Sequence, residues 1–276
     1  MKKKILIPTD FSKNAWNALL YAVDLYKDLR CEFYLLNTFN ANGYILSGIQ
    51  NLNVSDEHYK KAKMESEKGL EKVLKQISMR NESSNHQFIA ISRYDDLIAG
   101  IKEVLDMKDI ELVVMGTRGK SNLMKKVFGT NTVKAMEEVR NCPVLAVPDK
   151  AVFSQLKEIV FPTSFKTHYK NRELLYLNEI AKISNCPIQI VHHEKQEKLD
   201  ETQRNYKALL EDCLEGLDYH FHWLNSVDFR TALECFIQNR DSGMVVFINK
   251  KHTLFNTLFS RPLVKNLGYH SEVPIL

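Results

Sequence analysis

Leu112-Val113-Val114-Met115-Gly116-Thr117-Arg118-Gly119, continued to Val127-Phe128-Gly129-Thr130, is the stretch on which the reading of this chain turns. Leu112 to Met115 form the uninterrupted apolar run of a strand buried on both faces, and a helical pattern begins at Thr130. Two residues separate Gly116 from Gly119, and nine separate Gly119 from Gly129. Glycine lets a ligand approach the backbone closely, and the first turn of a helix offers N–H groups that have no intrahelical partner. Strand, glycine turn and helix start in this order therefore predict a phosphate cradle at the carboxyl end of a parallel sheet.

On either side of that stretch, short β-rich runs alternate with amphipathic segments. Strands are expected at 5–8, 32–38, 86–91, 111–115 and 143–147, and helices at 13–28, 56–79, 95–106 and 130–140. The alternation implies a parallel sheet with helices on both faces. Ala15, Leu19, Ala22, Val23 and Tyr26 give the first helix its apolar stripe, with Asp10 or Ser12 as the N-cap. Residues 39–55 lack a strong period, and Gly43 and Gly48 mark them as a loop over the strand ends.

The pattern then repeats. Ile5-Leu6-Ile7-Pro8-Thr9-Asp10-Phe11-Ser12 returns in outline as Ile159-Val160-Phe161-Pro162-Thr163-Ser164-Phe165-Lys166. Phe33 to Asn37 match Ile188 to His192, Tyr94 to Ile98 match Asp228 to Ala232, Val113 to Met115 match Val245 to Phe247, and Asn141 to Leu145 match Glu272 to Leu276. Two tandem copies are the economical explanation, a domain at 1–148 and another at 156–276 joined by a linker at 149–155. The second copy reads as strands 158–161, 187–192, 219–223 and 244–248, helices 168–184, 200–216 and 229–239, a last helix near 261–267, and a shortened final strand.

Composition bounds the functions available. At 276 residues with 44% hydrophobic and 26% charged residues, the chain can bury a large core without disulfides or a structural metal. A formal charge of +4 is too small an excess to point to nucleic acid. The five cysteines, Cys31, Cys142, Cys186, Cys213 and Cys235, lie far apart with no C-x-x-C pair, as expected for a reducing cytoplasm. No run approaches the ~18–20 apolar residues of a membrane span, and the apolar stretch after Met1-Lys2-Lys3-Lys4 is too short for a secretion signal.

Candidate site residues fall after the first, second and fourth strands. A nucleotide across these ends would meet Pro8, Thr9 and Asp10 near its ribose or a bound cation, and the backbone of Thr38 and Met115 near its base. Gly116, Gly119, Gly129 and Thr130 would meet its phosphates, with Arg118 as a neutralising charge. Each has a plainer reading: Asp10 and Thr130 as helix caps, the glycines as turn formers, and Lys120, Lys125 and Lys126 as a solvated face. Val114 stands where a P-loop needs its first glycine, and no strand is followed by G-x-G-x-x-G. His220 and His222 alternate along a strand with Phe221 and Trp223, which fits a structural role better than metal ligation, and His192-His193 read the same way.

These residues resemble the universal stress protein family, in its tandem-domain form. Ile5 to Ser12 is similar to the family's opening strand and Pro-Thr-Asp turn, Val113 to Thr130 to its G-2x-G-9x-G-[S/T] signature, and Asn141 to Val147 to its closing strand. The resemblance implies two copies of a five-stranded parallel α/β sandwich, Rossmann-like and akin to the adenine nucleotide alpha hydrolases. It implies ATP as ligand with Mg²⁺ or Mn²⁺ near Asp10, a cytoplasmic stress-response role, an unidentified protein partner, and pairing through the last strand, either between the two domains or in a homodimer. The second copy departs from the signature, with Ser164 for Asp10, Ile248 for Gly116, Lys251 for Gly119 and Ser260 for Gly129. One nucleotide per chain, in the first copy, is the expectation.

Three functions are compatible with this sequence. A regulatory ATP-binding protein comes first, since no catalytic base is evident and slow hydrolysis is the most that Asp10 and a metal would support. A nucleotidyl-transfer enzyme would need a glycine-rich loop after the first strand, which Pro8 to Ser12 does not provide. A scaffold or small-ligand binder with an idle cradle is opposed by the intact glycines of the first copy.

Overall fold

The computed structural model describes residues 2–40, 56–80, 85–117, 130–225, 228–248 and 273–276. The expected loop from residue 41 to 55 and the last helix near 261–267 lie outside them. The chain divides into two compact units, residues 1–149 and 150–276.

In the first unit the order is β1 (Lys3–Pro8), α1 (Lys13–Leu25), β2 (Cys31–Phe39), α2 (Asp56–Arg80), β3 (His86–Tyr94), α3 (Leu97–Lys108), β4 (Leu112–Gly116), α4 (Thr130–Glu138) and β5 (Val144–Val147). The strands form a parallel five-stranded sheet ordered β3-β2-β1-β4-β5. The chain moves outward from β1 to β3 and returns to place β4 on the other side of β1. The sheet therefore reverses its winding between β1 and β4, the position where open α/β sheets receive ligands.

Alternation along the strands supplies two cores. Leu6, Tyr34, Leu36, Val113 and Met115 pack with Ile98, Ile101 and Val104 of α3 and Ala135 of α4. Ile7 and Leu35 face the opposite side, under α1 and α2. Ile5, Leu6 and Ile7 are all 0% exposed, which is why β1 reads as an unbroken apolar run.

The second unit contains β6 (Ile159–Pro162), α5 (Asn171–Ser184), β7 (Ile188–His192), α6 (Glu201–Cys213), β8 (Tyr219–Trp223), α7 (Phe229–Arg240) and β9 (Met244–Val245). Its parallel sheet is ordered β8-β7-β6-β9, with a single parallel bridge from Val245 to Ile275 in the fifth position. The registers repeat those of the first unit. Ile5 to Pro8 face Phe33 to Leu36, and Ile159 to Pro162 face Ile188 to Val191. Leu6 faces Val113, and Val160 faces Val245. Val113 faces Val144, as Val245 faces Ile275. The repeat seen in the sequence is thus a repeat of strand pairing.

Of the two caps expected for α1 the structure uses Ser12, its hydroxyl accepting the Ala15 N–H at 3.2 Å. Several other expectations are corrected. β3 runs on to Tyr94, past the expected end at 91, so α3 starts at Leu97 with Asp96 as its N-cap. The matching cap before α7 is Asp228, which pairs it with Asp96 and shifts the expected Tyr94–Asp228 match by two residues. Both helices then end on an aspartate in the left-handed region, Asp109 and Asp241, with φ of 51° and 54°. β9 covers only Met244 and Val245 of the expected 244–248.

Helix α5 starts at Asn171 rather than at 168, and Gly116 explains why. A β-carbon on Gly116 would lie 2.6 Å from the carbonyl oxygen of Asn14 and 3.1 Å from the Ala15 nitrogen, so the first turn of α1 rests directly on the end of β4. By strand register Ile248, which carries a side chain, occupies the corresponding position, and residues 167–170 are non-helical. Gly116→Ala should destabilise the first unit by about 2 kcal/mol through this backbone collision, read as a lower urea midpoint; an unchanged midpoint would refute the contact.

Candidate ligand site at the β1–β4 switch

The chain leaves β1 through a turn built from its own side chains. The Thr9 hydroxyl accepts the Phe11 N–H at 3.1 Å, and the Asp10 carboxylate accepts the Ser12 N–H at 3.0 Å. These bonds hold Phe11 at a φ of 62°, a conformation that costs a residue with a β-carbon free energy. The Phe11 ring lies against Gly69 of α2, where an added β-carbon would come within 2.3 Å of it. Buried Asn37, at the end of β2, donates its amide to the Thr9 carbonyl at 2.7 Å and fixes the turn from below.

β4 ends beside this turn. The Met115 side chain belongs to the core, leaving only its backbone for a ligand, while Gly116 is partly open. Thr132, in the first turn of α4, is buried and donates its hydroxyl to the Gly116 carbonyl at 2.8 Å, tying the α4 start to the end of β4. Pro8, Thr9, Asp10, Met115, Gly116 and Thr130 are thus gathered at one end of the sheet, around the β1–β4 pair. Pro8 is buried and Asp10 exposed. Arg118, Gly119 and Gly129 lie outside the described residues.

Next to this cluster is a pocket of about 630 Å³ lined by Asn37, Thr38, Phe39, Asp95, Asp96, Glu65 and Asn131, with Phe11 as a wall. Among the described residues it contains three carboxylates and no lysine or arginine. Thr38 is held in place by Gly100 of α3, where a β-carbon would lie 2.7 Å from the threonine methyl. Phe39, Tyr59 and Tyr94 form an aromatic trio with centroids 5.3 to 5.9 Å apart. Asn131, Thr132, Glu65 and the Asp95-Asp96 pair were not among the predicted site residues. The two residues after Thr130 were open to inspection, but the carboxylates reach the site only because β3 extends to Tyr94.

The second unit builds the same turn and closes it. The Thr163 hydroxyl accepts the Phe165 N–H at 3.2 Å, and Phe165 has a φ of 52°. His192 stands in the register position of Asn37 and donates from Nδ1 to the Thr163 carbonyl at 2.8 Å. Phe165 is 0% exposed and stacks on His192 at 4.8 Å, with Trp223 against the same histidine. Tyr169 bonds to the Thr163 hydroxyl, and the buried Gln203 of α6 donates to the Ser164 carbonyl at 2.9 Å. Aromatic side chains thus surround the second turn.

A model of the universal stress protein family matches residues 1–148, more than half of the 276 residues. The chain belongs to this family. Universal stress protein MJ0577 of Methanocaldococcus jannaschii is 27% identical over 168 residues, which are 54% of this chain and 97% of that protein. Universal stress protein MJ0531 of the same organism is 25% identical over 146 residues, 52% of this chain and 81% of its own. The crystal structure of a universal stress protein from Archaeoglobus fulgidus aligns with a TM-score of 0.70 at 18% identity, covering 99% of this chain and 96% of that one. A universal stress protein structure from Pseudomonas aeruginosa aligns with a TM-score of 0.60 over 99% of this chain and 92% of its own, at 12% identity. Those two structures extend the family's fold to both units. No helix among the described residues is long and apolar enough to cross a membrane.

The histidine in the second turn carries a pH dependence into this stress protein. Burial holds the His192 pKa below its ordinary 6.5, although the Thr163 carbonyl opposes the shift. A histidine that is neutral when folded adds stability above its unfolded pKa, and that stability is lost as pH falls below 6.5. The unfolding midpoint of the second unit should fall with pH in that range. His192→Asn, which restores the Asn37 arrangement, should flatten the dependence; an equally steep fall in the variant would contradict the assignment.

Proposed function

We propose that the first unit binds ATP across the β1–β4 switch and that the chain works as a nucleotide-dependent regulatory stress protein. The observation that carries this reading is the meeting of three features at one sheet end: the Thr9-Asp10 turn, the Met115-Gly116 strand end and the first turn of α4. Such a helix start presents N–H groups to an anion.

Charge divides the ligand between two regions. The 630 Å³ pocket, with Glu65, Asp95 and Asp96 and no basic residue among the described ones, suits the uncharged base and ribose, which can bond to Asn37, Thr38 and Asn131. The triphosphate then lies toward Thr130; the sequence signature assigns Gly119 and Gly129 to its close approach and Arg118 to its charge, and these three lie outside the described residues. One Asp10 oxygen already accepts the Ser12 N–H. Among the described residues no three His, Cys, Asp or Glu side chains converge on a common point. A Mg²⁺ or Mn²⁺ ion would therefore come with the nucleotide, held by phosphate oxygens and water with Asp10 at its edge. Binding without a positioned base gives little turnover, so the output is a change of state rather than a product. The second unit, with Phe165 filling its turn and Ile248 in the place of Gly116, takes no nucleotide.

Calorimetry with MgATP should give one site per chain. Gly129→Val should abolish the heat, Asp10→Asn, which keeps the Ser12 contact, should weaken binding roughly tenfold, and Ser164→Ala should have no effect. Gly116 is the wrong position to mutate, because its loss would damage the fold. Two sites per chain, or full binding by Gly129→Val, would sink the proposal.

A further inference from the structure

On the other side of Phe11, between α1 and α2, lies a second cleft of about 680 Å³ whose chemistry is opposite to that of the acidic pocket. It is lined by Val73 of α2 and the Phe11 ring over Ile7 and Leu35 of the sheet, which are 0% exposed beneath them, and its lips are Trp16 and Met79. Met79 is 72% exposed, more than Met64 at 47% or Tyr59 at 38% on the same helix. Among the described residues the cleft is lined by three cations, Lys13, Lys72 and Arg80, and by no carboxylate. None of the three makes an ion pair among the described residues.

The positions of these groups give the cleft a direction. The Phe11 ring against Gly69 brings the start of α1 to the middle of α2, so Lys13, two residues after Phe11, and Lys72, three after Gly69, belong to one end. From Gly69 to Met79 the helix rises about 15 Å, and Val73, Gln76 and Met79 follow at helical spacing along the cleft. Lys13 and Lys72 put two of the three cations at one end, Arg80 stands beside Met79 at the other, and the apolar trough running away from the lysine pair matches an anionic head with a hydrocarbon tail.

We propose that this cleft binds a long-chain carboxylate, with the head between Lys13 and Lys72 and the chain lying over Val73 toward Met79. The site is separate from the nucleotide site, so it stands or falls independently of ATP binding. Phe11 lines both cavities and forms the wall between them.

Trp16 is a local reporter, since the chain has only two tryptophans and Trp223→Phe removes the other. Dodecanoate, kept below its micelle concentration, should change Trp16 emission saturably, at one site per full-length chain by calorimetry. Lys13→Glu with Lys72→Glu should weaken binding roughly tenfold. Both lysines are exposed, and an acid at the α1 start is favourable, so the circular dichroism spectrum should not change. Met79→Glu should weaken binding through the tail. Dodecyltrimethylammonium, with the same chain and the opposite charge, should not saturate the site. Absence of saturable dodecanoate binding, equal binding of the cation, or undiminished binding by the double lysine variant would overturn the proposal.

Discussion

The first unit depends on one close contact, the backbone of Asn14 resting on Gly116. With a β-carbon there the nearest oxygen would be 2.6 Å away, so only glycine lets α1 begin where it does. The early start puts Ser12 at the helix cap, directly after the turn that Thr9, Asp10 and Phe11 make between β1 and α1. The turn then forces Phe11 into the left-handed region and against Gly69, which fixes the wall between the acidic and basic cavities. A glycine that looked like part of a phosphate cradle is thus also a packing requirement for the start of α1.

The second unit shows what happens when that contact is absent. Strand registers, the threonine-anchored turn and the left-handed phenylalanine are all kept. With Ile248 in place of Gly116, the helix begins at Asn171, and the space near the turn goes to Phe165, His192, Trp223 and Tyr169. An amide that holds the turn in the first unit is replaced by a buried imidazole. One backbone plan thus supports an open strand end in one copy and an aromatic core in the other.

The sequence made the sheet legible because its central strands are buried on both faces, so that Ile5 to Ile7 and Leu112 to Val114 stand out as apolar runs. The repeat was legible because strand pairing constrains both copies in the same way. The end of β3 was not, since its half-exposed residues up to Tyr94 carry a weaker signal, and the misplaced end hid the Asp95-Asp96 contribution to the pocket. Phe11 could not be foreseen in the left-handed region, because the side-chain bonds that hold it there come from Thr9 and Asp10 and its support comes from Gly69, fifty-eight positions along the chain. The packing role of Gly116 was not legible for a similar reason: its demanding neighbour is Asn14, distant in sequence. The double-sided cleft between α1 and α2 follows from helix placement, which no local pattern encodes.

The central claim is that two copies of one turn have been put to opposite uses, open to nucleotide in the first unit and filled in the second. Hydrogen–deuterium exchange with and without MgATP tests it most directly, because it reads both turns in the same intact chain. The account predicts added protection at residues 8–12, 37–40, 115–117 and 130–132, with none at 162–166 and 190–193. Equal protection at both turns, or protection confined to the second, would contradict it.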